Sequence, residues 1–453
     1  MKTIVELFET TVDNYPENIY LWEKKEGKYN GTTYKQTHEK VINLAAGLVS
    51  MGLKKDDRAG LVADGRNDWI ISELGILYAG GINVPLSIRL EKNELAFRLK
   101  HSGSKYVFVS GIHTEKVEGI RDELPELEKV MYIGGKENRG ENNIDYNELI
   151  EKEYLKSHKH ECETIWKEIR PNDLANISYT SGTTADPKGI MLSHLNYAAN
   201  VVQSNTLMDL KTHWKTLAIL PWDHAFAHTT CLYVFMYKGA SIASVEVGKT
   251  ALETLKNIPK NIKEIQPTLM MSVPAYSKAF RKNIEKGIRE KWDKLYKFFQ
   301  FALKVSYKYI GMGCNKGRGW RFFLKPLVNL FYIFFYSKIR EGFGGKLEFF
   351  IGGGALLDIE LQRFFYAIGM PVCQGYGLTE AAPVISSNVP EDMKFGSSGK
   401  LVKYLELKIL DDEGRELPAG EKGEIVVKGD NVMLGYWKNP VATAETLKNG
   451  WLH

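Results

Sequence analysis

Residues 179–189 read Tyr-Thr-Ser-Gly-Thr-Thr-Ala-Asp-Pro-Lys-Gly, and Thr180, Ser181, Gly182, Thr183 and Thr184 form an unbroken run of small hydroxyl residues and glycine. Backbone N–H groups and hydroxyls at this density can wrap a polyphosphate, and Lys188 adds a cation for its distal end. Pro187 before Lys188 and Gly189 after it break the G-x-x-x-x-G-K-[ST] pattern, so the loop is not of the Walker A type. A solvated Ser/Thr/Gly turn is the alternative for this loop taken alone. Gly352, Gly353 and Gly354 follow an apolar run, Leu347 to Phe350, read as a strand. Glycines there let a ring or phosphate approach the backbone. A third group is Gln374-Gly375-Tyr376-Gly377-Leu378-Thr379-Glu380. Tyr376 between glycines offers a flat face for a base, Thr379 a donor to phosphate, and Glu380 a hard oxygen for Mg²⁺. Taken singly, Tyr376 reads as a core residue and Glu380 as a surface carboxylate.

These groups need a scaffold that ends strands at one edge. Val41, Leu44, Ala45 and Leu48 repeat at helical spacing, and Gly52 stands where that helix should stop. Ala59 to Ala63, Ile82 to Val84, Lys105 to Val109 and Lys129 to Ile133 read as strands, with a helix at Trp69 to Tyr78 between the first two. The alternation predicts a parallel α/β sheet with helices on its faces. Asn176 to Ser178 reads as a strand end, which puts Thr180 at a carboxyl edge, where open α/β sheets bind ligands. Towards the end of the chain, Leu405 to Leu410 and Glu424 to Lys428 read as short strands of a small β subdomain.

The chain has 453 residues and a net charge of +5, enough length for several domains and too little charge to imply nucleic acid. Its four cysteines are scattered, without a CxxC or Cys/His cluster, which argues against zinc and disulfides and fits a reducing cytoplasm. The N-terminus lacks the apolar core of a signal peptide. No run approaches the roughly 20 apolar residues needed to span a bilayer. The charge is uneven, however. Residues 278–346 hold 17 Lys/Arg against four acids, and 17 of the chain's 52 aromatic residues. One basic, aromatic insertion therefore interrupts an otherwise acidic protein.

Together, and in this order, YTSGTTADPKG, GGGA and QGYGLTE resemble the adenylate-forming superfamily of acyl-CoA synthetases, aryl-CoA ligases, peptide-synthetase adenylation domains and luciferases. GEIVVKGDNVMLGYWKNP and the closing GWLH resemble the stretch that enters the family's next motif, so the match runs from about Glu6 to His453. The resemblance implies a large N-terminal domain. It would have two Rossmann-like α/β subdomains within 1–390, a helical insertion at 278–346, and a β-barrel-like subdomain at 391–453. It implies Thr180 and Glu380 as Mg²⁺ ligands, and Ser181 to Thr184, Lys188 and Thr379 as phosphate contacts. Gly352 to Gly354, Gln374, Gly375, Tyr376 and Gly377 would line the nucleotide pocket. Pro221-Trp222-Asp223-His224-Ala225-Phe226 resembles the family's PxxHxF segment beside the acyl tunnel. His224, Thr379 and Glu380 are then the catalytic set, with a hydrogen-bonded structural histidine as the alternative for His224. Ala185 stands where the family usually has glycine, and Ala227-His228 where long-chain enzymes often have Glu-Arg. The family continues into a Thr-Gly-Asp motif and a C-terminal domain with a catalytic lysine; the resemblance implies a truncated chain or natural fragment that lacks both.

The length of the insertion is similar to long-chain acyl-CoA synthetases rather than aryl or acetyl ones. The implied reaction is ATP-dependent activation of a long-chain fatty acid to acyl-adenylate, then transfer to coenzyme A. Acyl carrier protein is the alternative acceptor, and a non-catalytic acyl or nucleotide binder the alternative role. The expected location is the cytoplasm, peripherally on the inner face of the membrane, with residues 278–346 against anionic lipid. Packing of those helices on the protein's own core is the alternative.

Overall fold

The computed structural model describes residues 2–134, 143–151, 155–180 and 187–453. Its largest sheet has eight strands, in the order Gly435–Tyr436, Gly189–Ser193, Leu174–Tyr179, Ile82–Pro85, Arg58–Val62, Ser104–Ser110, Lys129–Ile133 and Asn143–Asp145. Strands from Leu174–Tyr179 to Asn143–Asp145 run parallel, as the alternation predicts. Side chains leave each strand on opposite faces. Tyr106 and Phe108 enter one core, and Val107 and Val109 the other. Both faces are therefore covered, the condition for a mostly parallel sheet. The predicted helical stripe of Val41, Leu44, Ala45 and Leu48 is fully buried on helix Tyr34–Ser50, which a Thr33/Gln36 capping box opens.

The sheet departs from the parallel expectation at one side. Leu174–Tyr179 and Gly189–Ser193 pair antiparallel. A connection of nine residues closes a hairpin, whereas a parallel return needs about a dozen or more.

A five-stranded sheet carries the other motifs. Leu269–Ser272, Phe349–Gly352 and Val372–Gly377 run parallel, and Val384–Ser387 and Lys400–Leu401 add antiparallel strands. The strand expected at Leu347 to Phe350 lies two residues later, so Gly352 is its last residue. A four-stranded sheet joins Ile19–Lys25 and Lys28–Thr33 to Lys215–Ala218 and Ser241–Ser244. Another contains Glu406–Leu410 and Glu424–Lys428, antiparallel and in register from Glu406/Lys428 to Leu410/Glu424.

The basic segment is the connection between two adjacent parallel strands, Leu269–Ser272 and Phe349–Gly352. It is built from helices Pro274–Lys291 and Asp293–Ile310 and a continuous helical stretch over 319–342. That stretch corrects the expectation that nothing here is long and apolar enough to span a bilayer: by length and composition alone, Gly319–Gly342 is. Lys325 and Asn329 interrupt the apolar run in sequence, but the helix continues through them. Pro326 sits in the first turn of the α-helical part, Lys325–Phe331, which follows 3₁₀ turns over Gly319–Leu324.

Candidate functional site

Two sheets end at one cavity of about 310 Å³. From the large sheet comes Thr180, just past Tyr179. From the five-stranded sheet come Met271, Ile351, Gly353 and Gly354, and the strand end Gly375–Gly377. Carboxyl ends of parallel strands converge here, as at the ligand crevice of open α/β folds. The same lining includes His224, Ala225, Phe226, Thr379 and Glu380. Leu207, Met208, Leu210 and Val234 form an apolar portion, and Ser386, Ser387 and Asn388 add polar groups.

The structure therefore gathers Thr180, His224, Gly353, Gly354, Gly375, Tyr376, Gly377, Thr379 and Glu380 around one space. Ser181 to Thr184 lie outside the described residues. Lys188 does not line the cavity, but its neighbours link it there: the Thr180 N–H donates to its carbonyl at 3.3 Å, closing the base of the hairpin. Gly352 and Gln374 do not line it either. Gln374 is buried, with its Oε1 accepting from Leu357 N–H at 2.9 Å and its Nε2 donating to the Gly375 carbonyl at 2.6 Å. Its amide thereby holds the glycine loop in shape.

The glycines have separate reasons. A Cβ on Gly353 would stand 3.0 Å from the Phe226 ring, so the missing side chain lets that ring close on the strand. Gly354 has φ +77°, a conformation L-residues seldom take. Tyr376 follows on the emerging strand and is 39% exposed, a ring face open to solvent in the cavity wall. His224 is exposed and caps the short helix that follows, its Nδ1 accepting from Phe226 N–H at 3.3 Å.

Sequence reading missed Tyr436, although it lies in the quoted GYWKNP stretch. Its phenol donates to Glu380 Oε1 at 3.0 Å, and Lys188 Nζ stands 4.8 Å from the centre of its ring. One side chain thus joins the expected metal carboxylate to the expected phosphate cation. Burial and then the Glu380 charge push the Tyr436 phenol up to about 12, so near neutrality it keeps the proton it donates. Strand Gly435–Tyr436 brings it there by pairing with Gly189–Ser193. Its only sequence signal was an aromatic after Gly435.

The donor chemistry fits Mg²⁺. Glu380 and Thr180 offer one carboxylate and one hydroxyl, both hard oxygens, and no group of three or more His, Cys, Asp or Glu among the described residues forms a metal cage. Mg²⁺ typically takes one or two carboxylates and completes its shell with phosphate and water. Substituting Tyr436→Phe keeps the ring beneath Lys188 and removes only the donor to Glu380. The expected result is a several-fold rise, up to about tenfold, in the Mg²⁺ needed for half-maximal pyrophosphate exchange by the complete protein, the scale of one hydrogen bond's net contribution. Tyr436→Leu removes both contacts and should cost more; equal effects would contradict the bridging role.

Residues 8–437 match the family described as AMP-binding enzyme, and the chain belongs to it. Among curated relatives it is 29% identical to the probable acyl-activating enzyme 16, chloroplastic, of Arabidopsis thaliana. It is 28% identical to that plant's long-chain-fatty-acid–[acyl-carrier-protein] ligase AEE15, chloroplastic. Both comparisons cover 100% of this chain, which spans only 66% of the length of either relative. It is 26% identical over 98% of its length to the long-chain-fatty-acid–CoA ligase FadD15 of Mycobacterium bovis, covering 70% of that protein. Among solved structures, the N-terminal domain of FACL13 from Mycobacterium tuberculosis shares the fold with a TM-score of 0.72 at 21% identity, over 100% of this chain and 96% of that one. The anthranilate CoA ligase AuaEII in complex with anthranoyl-AMP aligns with a TM-score of 0.75 at 21% identity, over 100% of this chain and 74% of its own.

Proposed function

We propose that the protein carrying this chain activates a long-chain fatty acid with ATP, forming acyl-adenylate and pyrophosphate, and passes the acyl group to coenzyme A. The observation that carries this reading is one cavity whose lining combines Leu207, Met208, Leu210 and Val234 with Thr180, Tyr376, Thr379 and Glu380. An apolar tail and a charged nucleotide can share it, with the carboxylate held where the two portions meet. Tyr376 stacks on the adenine ring. Thr379 and the loop at Thr180–Lys188 hold phosphates while the acid's carboxylate attacks the α-phosphate and pyrophosphate leaves. His224 stands at the acyl side and steers the carboxylate and the later thiol. Mg²⁺, held by Glu380 and Thr180, offsets phosphate charge when bound. CoA thiolate then displaces AMP from the acyl carbon. The chemistry depends on positioning and electrostatics and needs no protein nucleophile.

Acyl carrier protein as acceptor is the second reading, favoured by the name of one 28%-identical relative, an acyl-carrier-protein ligase. ATP–pyrophosphate exchange by the complete protein across a panel of acids tests the first half-reaction, and supplying CoA or acyl carrier protein separates the acceptors. No exchange with any acid would reject adenylation and leave a non-catalytic binder. The apolar portion makes a sharper expectation. Val234→Trp fills space beside Leu207 and Met208 and should lower kcat/KM for a 16-carbon acid at least about tenfold more than for an 8-carbon acid, the scale of a few methylenes lost from an apolar pocket. An equal loss for both would place the tail elsewhere.

A further inference from the structure

Every exposed Phe and Trp among the described residues lies in one stretch of the chain: Trp292, Phe298, Phe301, Trp320, Phe322, Phe323 and Phe334. Leu330 and Ile333 join them. Phe323 is 82% exposed, Ile333 65% and Trp320 59%, values expected of surface lysines and unusual for apolar side chains. Several of the rings are also neighbours in space. The Phe298 ring lies 6.3 Å from Phe301 and 5.9 Å from Phe331, and Phe322 lies 6.2 Å from Phe323. Helix Asp293–Ile310 packs against both Gly319–Leu324 and Lys325–Phe331, so these exposed rings share one region of the surface, the kind of apolar patch that marks an interaction site.

Helix Asp293–Ile310 shows how the face is built. Phe299, Ala302, Leu303, Ser306 and Ile310 point into the protein. The opposite stripe reads Lys294, Lys297, Phe298, Phe301, Lys304 and Lys308, all exposed. An ordinary outer stripe would be polar throughout. Here lysines alternate with phenylalanines, the composition of a helix lying in a membrane interface, with rings in the acyl boundary and ammonium groups at headgroup level. The neighbouring 319–342 stretch repeats the pattern, with Arg318, Lys325 and Lys338 exposed around Phe322, Phe323, Ile333 and Phe334.

We infer that this face docks on an anionic lipid bilayer, lying in its interface without crossing it. Charge selects this occupant. The segment carries +13 within a chain of +5. A two-fold dimer through the same face would set those cations against one another, whereas an anionic surface pairs with all of them. Packing excludes a span. Phe331, Phe335 and Tyr336 are buried, Tyr336 hydroxyl lies 2.9 Å from Ser306 Oγ, and Arg340 donates to the Gly369 carbonyl. Crossing would tear these contacts from the protein. The face belongs to the connection between the strands that bring Met271 and Ile351 to the cavity, so the same element that shapes the site would meet the source of an apolar acid. The inference is independent of the proposed reaction, because docking needs neither ATP nor acid.

The test is co-sedimentation of the chain with sucrose-loaded vesicles of phosphatidylcholine, with and without about a third phosphatidylglycerol, at low and high salt. Binding to the anionic vesicles is expected to exceed binding to neutral ones at least about tenfold and to weaken with salt. Arg318→Glu with Lys325→Glu should remove most of that preference, at about fivefold per basic residue lost. Phe322→Ser with Phe323→Ser should lower binding about tenfold or more at either salt. Quenching of Trp320 fluorescence by lipids brominated near the headgroup, but not at the acyl end, reports interfacial depth without any variant. No binding, equal binding to both vesicles, deep quenching, or a dimer in analytical ultracentrifugation that Phe323→Ser dissolves would each overturn the inference.

Discussion

Glu380→Gln is expected to slow pyrophosphate exchange by the complete protein about 10²–10³-fold, the usual loss when one group that stabilises transition-state charge is removed. The substitution is close to isosteric. A glutamine Oε1 can still accept from the Tyr436 phenol, which now donates at 3.0 Å, and the Glu380 carbonyl still accepts from Met433 N–H at 2.8 Å. Only the negative charge disappears. An amide is a poor ligand for a hard cation, so the rate should fall together with a rise in the Mg²⁺ requirement. Binding of the fatty acid alone, read by displacement of a fluorescent acid, should stay within about twofold. An unchanged Mg²⁺ dependence would remove Glu380 from the metal site. A matching loss of acid binding would instead mean that the Thr379–Ala381 turn had collapsed.

The second large effect is on stability. His228 Nε2 stands 2.7 Å from Glu73 Oε1, both side chains wholly buried, and Asn83 Nδ2 donates to the same oxygen at 3.0 Å. Trp69, Tyr197 and Tyr233 enclose the imidazole, with ring centres 4.8–5.4 Å away. His228→Leu removes the imidazole nearest the buried Glu73 carboxyl group and leaves that polar group short of a neighbour, so it should cost about 1–3 kcal/mol, read as a lower urea midpoint by tryptophan fluorescence. The double variant Glu73→Leu with His228→Leu should recover more than half of that, since the buried carboxyl group is then gone as well. Additive losses would show that the two residues act independently. The pair also matters for the cavity. His228 opens the helical turn His228–Tyr233, which presents Thr230 to the cavity; Val234 follows it there, and Thr229 donates to the Ala382 carbonyl at 2.8 Å. One wall of the apolar portion is therefore held at its back by Glu73 and at its side by the turn carrying Glu380.

Much of this was determined within short windows of sequence. The strands at 104–110 and 129–133, the helices at 34–50 and 67–78, and the order of the three glycine- and threonine-rich motifs follow from residue type and period. Each such signal depends on neighbours a few residues apart, so it survives without knowledge of the fold. The sign and aromatic content of 278–346 are likewise properties of composition. Tertiary structure decided which motif residues face a common space. Gln374 and Tyr376 are two residues apart on one strand, and both face-to-face reading and motif order treat them alike. The first is buried and closed on its own loop, the second open to the cavity, because strand Val372–Gly377 leaves the core between them. Only packing brought Tyr436 between Glu380 and Lys188, or His228 to Glu73, across separations of 56 and 155 residues. It also settled which aromatic residues of the insertion are core and which are surface. Phe298 and Phe299 are adjacent and chemically identical, and they differ only in the side of a helix that meets the rest of the protein. Local sequence sets conformational preference and charge; long-range pairing is set by which faces can be buried together, and that depends on the whole chain at once.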